Sequence, residues 1–110
     1  RKLASIGARL DSLKEALKFN EKQAQLLKLE EETLAPGFWE NQDLASKVQR
    51  EKSTIKRQID RFSSVTRNFE DYSELLELIK NDDEATIELE KDISALDQEV
   101  SVIEMECLLS

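Results

Sequence analysis

Ala35-Pro36-Gly37-Phe38-Trp39-Glu40-Asn41-Gln42-Asp43 is the stretch on which the fold turns. Pro36 is the only proline in 110 residues, and Gly37 is one of two glycines. Proline cannot continue a helix interior and glycine readily takes a positive φ, so a helix arriving at Ala35 stops there. Asn41-Gln42-Asp43 then offers a capping side chain and a first-turn carboxylate, which suits a helix start. Between the two lie Phe38 and Trp39, two of the chain's six aromatic residues.

Upstream of this corner, Leu3, Ile6, Leu10, Leu13, Leu17, Ala24, Leu27 and Leu34 follow heptad steps, and Asn20 falls on the same line. The spacing predicts one helix over 2–34, with Asn20 fixing register at some cost in stability. Gly7 inside it costs about 1 kcal/mol relative to Ala. Downstream, Leu44, Val48, Ile55, Ile59 and Phe62 lead into two interleaved sevens, Phe62, Phe69, Leu76 and Val65, Tyr72, Ile79. A helix over 41–80 follows, near 57 Å long at about 1.5 Å per residue. Asn81 or Asp82 caps the next helix after a turn at 81–83. Leu89, Ile93, Leu96, Val100, Ile103 and Cys107 mark that helix, over 84–108. Cys107 reads as a small buried hydrophobe, with a reactive thiol as the alternative.

The expected fold is therefore all-α: an elongated antiparallel three-helix bundle or coiled coil, one helical domain over 1–110 with its corner at 35–40. Composition agrees. Two glycines and one proline are too few turn formers for a sheet protein. Hydrophobic residues make up 39% and recur too regularly for a disordered linker. No apolar run approaches the roughly 20 residues of a membrane span. The first residue is Arg with no signal-peptide pattern after it, so a cytoplasmic setting and a piece of a longer polypeptide are expected.

Charge is uneven. Residues 71–110 hold 2 basic and 13 acidic residues, against near balance before them. That segment repels phosphates, so it faces water or a basic partner. Lys47, Arg50, Arg57 and Arg61 form a basic stripe at helical spacing. The stripe either pairs with the acidic segment across two helices or contacts RNA.

The residues offer little catalysis. Histidine, the commonest general base and metal ligand, is absent, and one Cys makes neither a disulfide nor a Cys-rich zinc site. No Gly-rich phosphate loop exists. Asp82 and Glu84 lack the ligand pattern of a calcium loop. A binding, spacing or regulatory module is expected rather than an enzyme, with no cofactor, metal or small-molecule substrate. Pro36, Gly37, Phe38 and Trp39 are the candidate site. Either the aromatics plug the bundle end, in which case losing Trp39 costs about 2–4 kcal/mol, or Trp39 anchors a partner.

The corner also carries a resemblance. Ala35-Pro36-Gly37-Phe38-Trp39-Glu40-Asn41, followed by Ala45, resembles the Pro-X-Phe-Trp-acid segment in the amino-terminal domain of the bacterial peptide chain release factor 2 family. Leu26 to Glu32, Glu74-Leu75-Leu76-Glu77-Leu78 and Leu108-Leu109-Ser110 fit that family's leucine-rich helix, acidic patch and helix end. The resemblance implies a docking and regulatory domain of a factor that ends translation at stop codons. It further implies contact with the ribosomal stalk base and with the GTPase that recycles release factors. The family's Gly-Gly-Gln loop and Ser-Pro-Phe type tripeptide do not occur in residues 1–110. A generic helical tether, or a non-catalytic relative that binds RNA, is the competing reading.

Such continuous stripes require the chain to be mostly helical in solution. Far-ultraviolet circular dichroism should show it, and less than half helix would rule the bundle out.

Overall fold

The computed structural model describes residues 2–109, and its elements are helical: α1 (Lys2–Ala16), α2 (Phe19–Glu32), one 3₁₀ turn (Phe38–Glu40), α3 (Gln42–Ile79) and α4 (Asp83–Leu109). Among the described residues there is no strand, and no helix is long and apolar enough to cross a membrane. The all-α expectation holds. The single first helix does not: α1 and α2 meet at Lys18, whose φ of 52° and ψ of 52° are left-handed.

The reason lies in two apolar lines that are out of phase. Leu3, Ile6, Leu10 and Leu13 are buried on α1. On α2 the buried residue is Leu29, with Phe19 and Leu26 partly buried. At about 100° per residue, Phe19 would point roughly 200° away from Leu17 in an unbroken helix. One left-handed residue costs about 1–2 kcal/mol. Burying a large apolar side chain returns about 1.5–3 kcal/mol each, so rephasing is favourable. Asn20, Ala24, Leu27 and Leu34 therefore lie outside the core, and Asn20 sets no register; Leu27 is 60% exposed.

The chain forms two compact units, and α3 contributes to both. The first comprises the described residues of Arg1–Leu17 and Ser63–Ser110. Here α1 and α4 run parallel, since Lys2 Nζ reaches Ser94 Oγ at 3.2 Å and Arg9 Nη2 reaches Ser101 Oγ at 3.0 Å. The tight turn between α3 and α4 makes those two antiparallel; the Thr86 hydroxyl donates back to Ile79 O at 3.2 Å. Val65, Leu89, Ile93, Leu96, Val100 and Ile103 are buried in this unit. Cys107, next on the α4 line, is half-buried and not free of partners. Gly7 has a packing role, because a Cβ there would sit 2.8 Å from Phe69 Cζ. The ring of Phe69 occupies the space a side chain would need.

Arg9 joins α1 to α4. Its guanidinium donates to Asp97 Oδ1 and to Glu104 Oε1, the latter at 2.9 Å from Nη2. Hydrogen bonds to Glu104 and then Asp97 hold it charged well above the ordinary arginine range. Tyr72 on α3 has its phenol pushed up, first by burial and then by Asp92, Glu99 and Asp71.

The second unit, Lys18–Phe62, is an antiparallel pair made from α2 and the first part of α3. Leu29, Phe38, Ala45, Val48, Ile55 and Ile59 form its core, with Phe19 and Leu26 packed against it. Phe19 meets Phe62 with ring centroids 5.0 Å apart. Ala45 rather than Leu44 faces inward, and Leu44 stays 47% exposed.

Since Lys18 holds a conformation that glycine adopts freely, Lys18→Gly should raise stability by about 0.5–1 kcal/mol despite its cost in unfolded-state entropy. Urea unfolding measures this. A loss of stability would mean that the left-handed geometry is not what limits this junction.

Candidate functional site

The corner is built from hydrogen bonds that end α2. A helix leaves its last carbonyls without partners. Here Leu29 O accepts from Thr33 N at 3.2 Å, Glu31 O from Leu34 N at 3.1 Å and Glu32 O from Ala35 N at 3.2 Å. Glu30 O accepts from the Thr33 hydroxyl at 2.7 Å. Thr33 O accepts from the Trp39 indole N–H at 3.1 Å. Each carbonyl from Leu29 to Thr33 thus has a donor.

Ala35-Pro36-Gly37-Phe38 makes the reversal. Phe38 N donates to Ala35 O at 3.2 Å, and Gly37 has φ 81° and ψ −2°. Those are the angles of the third residue in a type II turn, which favours proline before it and needs glycine there. The 3₁₀ turn follows, with Glu40 N donating to Gly37 O at 3.1 Å. Asn41 then caps α3, its Oδ1 accepting from Leu44 N at 3.1 Å.

The two aromatics divide their roles. Phe38 is buried at 8% exposure and belongs to the core; Trp39 is 57% exposed. Trp39 stands edge-on to Phe38, centroids 4.9 Å apart at 87°. The burial expected of Trp39 therefore belongs to Phe38, and Trp39 holds the corner through its N–H. Around it Leu34 is 83% exposed. An open hollow is lined by Glu32, Ala35, Pro36, Gly37, Phe38 and Leu44. The spacing put Leu34 and Leu44 in the core. Their exposure was legible only once the phase change at Lys18 and the cap at Asn41 were known.

The basic stripe lies on α3, with Lys47, Arg50 and Arg57 exposed and Arg61 half-buried and engaged. Lys56, Arg57, Asp60, Arg61 and Ser53 line a shallow depression there. Ion pairs that join α1 to α4 run from Arg9, to Asp97 and Glu104. Sequence spacing could not reveal Arg9, whose partners lie 88 and 95 residues away. At the α3–α4 turn, the Asp82 carboxylate accepts from Ala85 N at 3.1 Å and so caps α4. Among the described residues no group of three acidic, Cys or His side chains is placed to hold a metal.

Residues 22–110 match the family model described as the PCRF domain. The chain belongs to the PCRF-domain family. The matched range takes in most of α2, the whole corner, α3 and α4, and leaves α1 outside. The PCRF domain is also similar to proteins named peptide chain release factor 2. That of Exiguobacterium sp. (strain ATCC BAA-1283 / AT1b) is 36% identical over 110 residues, covering 98% of this chain and 30% of that protein. That of Clostridium perfringens (strain SM101 / Type A) is 32% identical over 110 residues, covering 98% and 28%. That of Petrotoga mobilis is 24% identical over 109 residues, covering 99% and 30%. The chain therefore spans about three-tenths of the length of these relatives.

The two rings should separate cleanly in unfolding experiments. Phe38→Ala should lower stability by about 3 kcal/mol or more, as for a buried aromatic. Trp39→Ala should cost about 1–2 kcal/mol, one hydrogen bond and one edge-on ring contact. Equal losses would contradict this division of roles.

Proposed function

We propose that this PCRF domain is the docking and regulatory domain of a class I peptide chain release factor, acting in translation termination at stop codons on the ribosome. The similarity to release factor 2 proteins along almost the whole chain carries this reading. Peptidyl-tRNA hydrolysis and stop-codon reading would then belong to parts of the parent outside residues 1–110, which contain no Gly-Gly sequence and no histidine. The cytoplasm would be its setting.

In finer detail, the domain would contact the ribosomal stalk base and the GTPase that recycles release factors. Two surfaces support a docking role over chemistry. One is the exposed apolar corner at Pro36, Gly37 and Trp39. The other is the exposed basic run of Lys47, Arg50 and Arg57, which suits RNA phosphates. Neither surface gathers the pocketed acid–base pair that catalysis requires.

A chimera tests the proposal. Residues 1–110 replace the matching segment of the Exiguobacterium protein, and peptide release is measured on reconstituted ribosomes carrying a stop or a sense codon. Stop-dependent release within about tenfold of the parent is expected, a barrier change of roughly 1.4 kcal/mol. A folded chimera without release would sink the proposal. Equal release from a chimera carrying an unrelated helical bundle of the same size would favour the generic tether.

A further inference from the structure

The corner has a chemical character beyond its shape. Leu44 lines the hollow with Ala35, Pro36, Gly37 and Phe38, and the exposed Leu34 and Trp39 adjoin lining residues along the chain. Between Lys28 and Lys47 there is no basic residue, but there are five acidic ones: Glu30, Glu31, Glu32, Glu40 and Asp43. All five are exposed, and Glu32 lines the hollow itself. An apolar hollow with Glu32 in its lining and only acidic charges in the surrounding stretch of chain disfavours nucleic acid and anionic lipid alike. It attracts a segment carrying apolar and cationic side chains together.

We propose that this corner docks a basic amphipathic polypeptide segment. An apolar side chain of that segment enters the hollow between Pro36 and Leu44, against Leu34. Its lysines or arginines meet Glu32 and Glu40. Trp39 follows the lining residue Phe38, stands edge-on to its ring and is held in place by its bond to Thr33 O. Rigid aromatic surface is favoured in such contacts because little side-chain entropy remains to be lost. The proposal rests on the docking reading above. Its test uses neither ribosomes nor stop codons, so the two can fail separately.

Trp39 is the chain's single tryptophan, so its fluorescence reports directly from the site. The probe is a synthetic peptide of about 15 residues with Leu at helical spacing and Lys elsewhere. Titration into the 110-residue chain should shift Trp39 emission to the blue, and the effect should weaken with salt. Leu34→Ser should reduce affinity at least about fivefold, and Glu32→Lys combined with Glu40→Lys at least about tenfold. Glu88→Lys with Glu90→Lys on α4 should change affinity less than about twofold if binding is local to the corner. Circular dichroism confirms that each variant folds.

The inference is overturned if the Trp39 signal does not respond, or if a peptide with Glu in place of Lys binds equally well. It is also overturned if the α4 variants weaken binding as much as the corner variants do, which would indicate general attraction to an acidic chain. A blue shift on adding poly(U) that the corner variants abolish would assign the site to RNA. Self-association seen by sedimentation and dissolved by Leu34→Ser would assign it to a second copy of the chain.

Discussion

The left-handed backbone at Lys18 decides which side chains the first two helices bury. A helix turns about 100° per residue, so one straight helix can offer only one continuous stripe to one neighbour. This chain carries two stripes, Leu3 to Leu13 and Phe19 to Leu29, separated by roughly half a turn of phase. Without a break, either Leu10 and Leu13 or Phe19 and Leu29 would face water. Lys18 resolves the conflict within one residue. The Leu17 amide still closes on Leu13 O at 2.8 Å, and Lys18 O takes the Lys22 amide at 3.0 Å, so both helix ends remain bonded across the break. The price is a strained residue that is not glycine, offset by a separate core for each unit.

The second constraint is the ending of α2. Pro36 and Gly37 supply the reversal, but they do not satisfy the carbonyls that the helix leaves behind. Those are met by amides from Leu34 and Ala35, the Thr33 hydroxyl and the Trp39 indole. This explains why a large aromatic can lie mostly in water and still belong to the architecture. Its value to the fold is one donor placed on Thr33 O and one edge-on contact with Phe38, while more than half of it stays exposed. Phe38, one residue earlier, supplies the burial that fixes the corner onto α3.

Much of this was readable from residue spacing, for reasons that differ by element. On α4 the line Leu89, Ile93, Leu96, Val100 and Ile103 is buried at every position, because a long run with no glycine or proline has one phase. The Pro36-Gly37 reversal and the Asn41 cap were legible because the chemistry of each residue is local. The break at Lys18 was not legible as a breaker, since lysine is a good helix former. Its signal was the second apolar line of Phe19, Leu26 and Leu29, which the heptad from Leu17 to Ala24 obscured. Arg9 and the Trp39 N–H were invisible because their partners are set by tertiary packing or by the path of the turn. For the site, spacing located Phe38 and Trp39 but could not say which was inside.

Two departures from local preference in the second unit have different consequences. Lys18 violates backbone preference, and the packing of Phe19 against Phe62 compensates for it within the same unit. Leu34, Trp39 and Leu44 violate surface preference, and no described residue covers them. A violation compensated nearby needs no purpose beyond the fold. One left uncompensated exposes apolar surface that burial elsewhere could have used, at about 25 cal/mol per Å². The corner's polar bonds are complete and its core ring is buried, so the fold gives no reason for that exposure. Leu44 shares the hollow with Glu32, and Leu34 and Trp39 adjoin its lining residues along the chain. By that physical test the corner, unlike the kink at Lys18, presents apolar surface that its own unit leaves uncovered.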